Sequence, residues 1–147
     1  MARMFKIIQD CRHQIAQEIL KNVVPAGKGS KWKKHNTNVG DVMNASQRTR
    51  LFDVVSSGES FDTNAWGTST DDHYVKILIV IGYSTQQDFN ECAQSDFDAI
   101  TYRLHNIDVS AVTGLNFYKV EGYQWKESED FRYMIIPVAT LITASQT

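Results

Sequence analysis

The densest group of chemistry-bearing side chains in this sequence is a basic run. Lys28, Lys31, Lys33 and Lys34 fall within seven residues, with Trp32 among them and His35 beside them. Ammonium groups at this density can neutralise phosphates, and an aromatic ring between them can stack on a base. They can equally dock on an acidic protein surface, and a solvated loop has the same composition. From Lys21 to Arg50 there are seven Lys/Arg against one acid, Asp41; the rest of the chain has eight against sixteen. A formal net charge of −2 therefore conceals a basic segment on an acidic body. No predicted helix carries a basic reading face, which argues against sequence-specific DNA recognition.

Other candidate chemistry is sparse. There is no G-x-S-x-G elbow, no P-loop and no G-x-G-x-x-G turn, and Gly27-Lys28-Gly29 is only a flexible piece of loop. The four histidines, His13, His35, His73 and His105, show no i, i+4 pair. Asp71-Asp72-His73 offers cation-ligand types, but three adjacent residues read more simply as a polar strand entry. Asp96 and Asp98 are two apart on a predicted helix and do not share a face. No acid/base set can be assembled, so the sequence predicts no enzyme, no cofactor and no metal. Cys11 and Cys92 are too few and too far apart for a disulfide scaffold or a CxxC motif, and read as small buried residues in a reducing setting. Trp32, Trp66 and Trp125 fall in or beside predicted loops and strand ends, where they suit interface packing or the core edge.

These residues have to be positioned by a chain of 147 residues with 42% apolar content, enough for one domain with a real core. Residues 3–23 read as an amphipathic helix, with Met4, Ile8, Cys11, Ile15 and Ile19 on one stripe. Pro25 and Gly27 stop it. Residues 25–47 have no period and read as a long basic loop or arm with a short extended piece, a candidate for ordering against a partner. Residues 48–56 read as a strand, 56–72 as a broad connection, and 74–83 as the strongest strand. Both faces of that strand are largely apolar, so it is central and covered on both sides. Residues 85–105 form a second helix, with Thr85 and Asp88 at its start and Phe89, Cys92, Ala93, Asp96/Phe97, Ile100 and Leu104 on its stripe. Residues 114–125 and 132–143 are two further strands, joined by a charged turn at 126–131. Pro137 should break the last strand or confine it to a sheet edge.

The expected fold is a single α+β domain over 1–147. It has a four-stranded, mainly antiparallel sheet with two helices packed on one face, and long loops. No apolar run approaches the roughly 20 residues of a membrane helix, and the N-terminal residues do not resemble a signal peptide.

This order of elements resembles the tail terminator (tail completion) proteins of long-tailed bacteriophages. The likeness runs from Phe5 to Leu141. It is carried by MFKIIQDCRHQIAQEIL, RTRLFDVV, YVKILIVIGY, DFNECAQSDFDAITYRL and RYMIIPVATLIT, with Asp96, Asp98, Ile100 and Leu104 forming a D-x-D-x-I-x-x-x-L run. The resemblance implies a virion protein assembled in the host cytoplasm. It implies a hexameric ring that caps the tail tube and joins it to the head-side connector, with ring contacts through the sheet edge and long loops. Its partners would be further copies of itself, the tail tube protein and the connector protein. DNA would pass non-specifically through the channel, and no membrane is involved. Lys28, Lys31, Trp32, Lys33, Lys34, Trp66 and Trp125 are then the candidate subunit or channel contacts. A head-completion or neck adaptor ring, a small enzyme, and a monomeric nucleic-acid-binding module are the alternatives.

Overall fold

The computed structural model describes residues 3–25, 27–34, 42, 49–62, 70–84, 89–127 and 132–145. Among them the chain forms two helices and six strands. In order these are α1 (Met4–Leu20), β1 (Lys33–Lys34), β2 (Leu51–Asp62), β3 (Thr70–Gly82), α2 (Phe89–His105), β4 (Leu115–Val120), β5 (Gln124–Glu127) and β6 (Arg132–Ser145). A single 3₁₀ turn, Val109–Ala111, precedes β4. The α+β class holds, but the sheet is mixed and six-stranded rather than four-stranded. Its order is β1-β2-β3-β6-β4, and β5 also pairs with β6. Thr85 and Asp88, and most of 35–47, lie outside the described residues.

Three differences from the expected strands have physical causes. The hairpin β2–β3 is longer than its apolar pattern. After a register irregularity between Ser56 and Ser60, the turn-type residues at 60–62 and those at 70–73 are held in the ladder by pairing such as Phe61 with Tyr74 and Asp72 with Thr143. The stretch read as one strand over 114–125 is two, because residues 121–123 leave the ladder and Gly122 adopts φ +101°. The second piece, β5, takes Lys126 and Glu127 out of the expected turn. Finally, Pro137 lies in an interior strand. β6 has β3 along one side, and β4 and then β5 along the other. The β4 pairing ends at Val120–Val138 and the β5 pairing starts at Gln124–Ile135. Pro137 sits at that changeover, with its carbonyl accepting from Glu121 N at 2.9 Å. In an antiparallel ladder the N–H and C=O of one residue point to the same neighbour. The missing N–H therefore falls in the gap between the two partner strands.

Both helices lie on one face of the sheet, as expected. The buried stripe of α1 is Ile7, Cys11, Ile15, Ala16 and Ile19, with Met4 and Ile8 at its margins; that of α2 is Phe89, Cys92, Ala93, Asp96, Ile100 and Leu104. They cover Phe52 and Val54 of β2, Val75, Ile77, Ile79 and Ile81 of β3, and Met134, Ile136, Val138 and Ile142 of β6. On the opposite face, Val42 packs on Leu51 and Val80, with Val55, Leu78 and Ile135 around them. That approach explains Gly82, where a Cβ would stand 2.0 Å from the Val42 carbonyl oxygen.

Candidate functional site

The described part of the basic segment is clamped to the body of the protein by one buried arginine. Arg50 is fully buried and holds φ +66°, a left-handed conformation that costs a non-glycine residue free energy. Its Nε donates to both carboxylate oxygens of Asp96, at 2.9 and 3.0 Å. Its Nη1 donates to the carbonyl of Lys28 and, at 3.3 Å, to that of Ser30. The guanidinium carbon lies 5.8 Å from the centre of the Trp32 ring, within cation–π range. Tyr83 Oη completes the group by donating to Asp96 Oδ2 at 2.8 Å. Helix α2 thus supplies the acid, β3 leads into the phenol, the entry to β2 supplies the cation, and residues 28–32 wrap around it.

The seven sequence-derived contact residues fall into different places. Trp32 is only 8% exposed and meets Phe52 edge-on at 5.6 Å, so it belongs to the core. Lys28 pairs with Glu91 of α2. Lys34 pairs with Asp53 at 2.7 Å, and the same Asp53 oxygen accepts from Val54 N at 2.8 Å. Lys31 and Lys33 are exposed. Trp125 is 38% exposed, in a row of rings that runs Tyr83, Phe89, Trp125, Tyr123, Phe97 with centroid separations of 4.4 to 5.5 Å. Trp66 lies outside the described residues. Two of the four lysines therefore fasten their own segment, and two face outward.

Sequence reasoning missed the clamp. One signal was available: Asp96 occupies an apolar-stripe position of its helix, and a carboxylate on a buried face needs a cation or donors. Nothing in the sequence singled out Arg50 as that cation. Burial raises the Asp96 carboxyl above the ordinary carboxylate range, while Arg50 and the Tyr83 hydroxyl pull it back. Because the folded state holds this proton more tightly, the associated stability is fully present below the unfolded value of about 3.9. It is lost as pH rises through the raised value. Urea unfolding of wild type and Asp96→Asn across pH 3–7 should therefore give a difference that favours wild type more at the acid end. A difference independent of pH would contradict this.

Other titratable groups are structural. Burial pushes the Cys11 thiol up to about 11, so it stays protonated and a poor nucleophile at neutral pH. Tyr118 is raised by burial and donates to Gln14 Oε1 at 2.8 Å, tying β4 to α1. Asp108 is held low by the Ser110 hydroxyl and backbone N–H, an N-terminal cap on the 3₁₀ turn. Among the described residues, no three His, Cys, Asp or Glu side chains come together as a metal site. Nor is any helix there long and apolar enough to cross a membrane. No protein-family model matches the chain, and no curated protein matches it.

Proposed function

We propose that this chain is a structural protein of a bacteriophage-type tail, a tail terminator whose copies form a ring that caps the tail tube and meets the head-side connector. The observation that carries the reading is the sheet face turned away from the helices. Leu78, Ile135, Pro137, Ala139, Leu141 and Phe117 are half-buried there, and Tyr74 is 43% exposed, with its ring 6.4 Å from that of Phe117. Neither α1 nor α2 packs on this face, and Val42 covers Leu78 and Ile135 at its Leu51–Val80 end. Lys76 and Lys119 cross this face on either side of Ala139, with Lys76 paired to Glu121. Part-open apolar residues flanking such a row are a common mark of protein association. The occupant proposed is a second copy of the chain. An acidic body carrying a clamped basic segment offers unlike patches for head-to-tail packing, and such packing closes into a ring when the rotation permits. Lys31 and Lys33 are the outward charges of that segment, and its action is geometric, with no bond made or broken.

Light scattering on a sizing column tests the ring, paired with addition of purified tail tubes. The expected mass is near six times the 16.7 kDa chain, or a monomer that binds tube ends and stops their growth. A monomer that ignores tube ends overturns the reading. Leu141→Lys together with Tyr74→Lys should reduce the assembly to single chains, because burying two unpaired charges in a contact is costly. Both positions lie outside the helix-covered core, so the monomer should unfold as cooperatively as wild type.

A further inference from the structure

A second cluster of nitrogen donors lies where α1 crosses β2. There, Gln9, Arg12 and His13 from α1, Lys34 from β1 and the Val54 backbone of β2 line an open cleft of about 250 Å³. The position follows from the topology. Strand β1 pairs with Leu51 and Phe52 at the start of β2. Arg12 then caps the strand edge by donating from Nε to the Val54 carbonyl at 2.7 Å. This contact fixes the guanidinium plane but uses only one of its five donors. Nη1 and Nη2 have no hydrogen-bond partner, and Arg12 has no carboxylate partner among the described residues.

Among the described residues the charge balance around the cleft is positive. Lys34 is balanced by Asp53, whose Oδ1 is held by both the ammonium and the Val54 N–H. Asp10, on the same helix, is balanced by Lys6 at 3.1 Å. Among the described residues Arg12 is left without a balancing carboxylate, and His13 and Gln9 add side-chain nitrogens beside it. A planar guanidinium anchored through Nε presents its remaining N–H groups as a preorganised fork, the geometry that suits a tetrahedral or planar oxyanion. The cleft is smaller than the roughly 300–1,000 Å³ of sites for drug-sized ligands. That favours one anionic group over a whole cofactor. The cleft at the far ends of the helices makes a useful contrast: Glu18, Asp98 and Arg103 line it together, and their mixed signs select no one class.

We propose that the Arg12 cleft is a binding site for a phosphate-type oxyanion, held chiefly by the Arg12 guanidinium with Gln9 and His13 at its sides. The site lies within one chain and does not depend on how copies assemble. The test is isothermal titration of the whole protein with sodium phosphate and, separately, with a short oligothymidylate, each against sodium chloride of equal ionic strength. Binding of phosphate alone assigns the site to a free oxyanion; binding of the oligonucleotide, with or without phosphate, assigns it to a phosphodiester. Either result supports the site if Arg12→Gln weakens it about tenfold or more, the scale of a charged hydrogen bond. Gln9→Glu, which leaves the Val54 contact intact and places a carboxylate in the cleft, should weaken it similarly and covers the case in which Arg12→Gln fails to fold. No binding beyond the chloride control overturns the proposal. So does binding that survives Gln9→Glu unchanged.

Discussion

Asp96→Ala should destabilise the protein by about 3–5 kcal/mol, the usual consequence of removing one member of a buried ion pair. The carboxylate is the acceptor for Arg50 Nε and for Tyr83 Oη, and both residues are buried. Without it two donors lose their acceptor in the interior, each at about 1–3 kcal/mol. Charge attraction is the smaller part. Burial already raises the Asp96 carboxyl against the pull of Arg50, so desolvation outweighs the Coulombic gain. The ranking of variants follows. Asp96→Asn keeps an acceptor oxygen and should lose much less than Asp96→Ala. Arg50→Met with Asp96→Leu removes donor and acceptor together and should recover a large part of the loss, though Tyr83 and the Lys28 and Ser30 carbonyls still lose a partner. Urea unfolding at pH 7 measures all three. Equal losses for Asn and Ala would show that the charge, not the acceptor, matters.

The same substitution should loosen the basic segment. Lys28 and Ser30 are tied to Arg50 through their carbonyls, and Trp32 lies against its guanidinium. The segment's order is therefore intramolecular as far as residue 34. From sequence alone, residues 25–47 read as one long loop awaiting a partner. The misreading has a physical origin: the composition is that of a loop, and what orders residues 28–32 is a side chain 18 to 22 residues further on. Trp32 was equally hard to place. Flanked by lysines it looks like a surface ring, but its 8% exposure shows it turned inward while Lys31 and Lys33 stay exposed.

The elements that were legible have a dense apolar period. Both helix stripes and the face of Val75, Ile77, Ile79 and Ile81 lie where the spacing puts them. The parts that were not legible are held by long-range pairing. The short extended piece expected within 25–47 is β1, but its position is set by Lys33 and Lys34 lying beside Leu51 and Phe52. Strand β5 exists because β6 extends past the end of β4. Pro137 illustrates the limit of a local rule: a missing N–H bars proline from a ladder only where a partner strand is present to accept it. The Arg12 cleft was hidden for a related reason. On the sequence Arg12 is one of several polar residues on the outer side of a helix, and only the Val54 carbonyl of β2 turns it into an anchored fork.

Close approach at a glycine gives the second large effect. Gly114 precedes β4 at φ +89°, and a Cβ there would stand 2.6 Å from Ile7 Cδ1 and 2.8 Å from the Thr143 carbonyl oxygen. The Ile7 methyl is buried in the helix–sheet core and the Thr143 oxygen is backbone, so neither can yield cheaply. The same Thr143 donates its N–H to the Gly114 carbonyl at 2.8 Å, which fixes the two segments against each other. Gly114→Ala therefore combines a left-handed backbone, at about 1–2 kcal/mol, with overpacking, at about 1–3 kcal/mol. Gly122 supplies the control, since it has φ +101° and nothing within 4 Å of a Cβ. Gly122→Ala should incur only the dihedral cost. Thermal and urea unfolding of the two variants side by side should show Gly114→Ala clearly the less stable, and the difference measures how firmly α1 is seated on the start of β4. Equal losses would mean that α1 shifts to make room. Helix α1 also carries Arg12, so a shift of that kind would open the oxyanion cleft as well. The phosphate titration of Gly114→Ala would then weaken while that of Gly122→Ala would not.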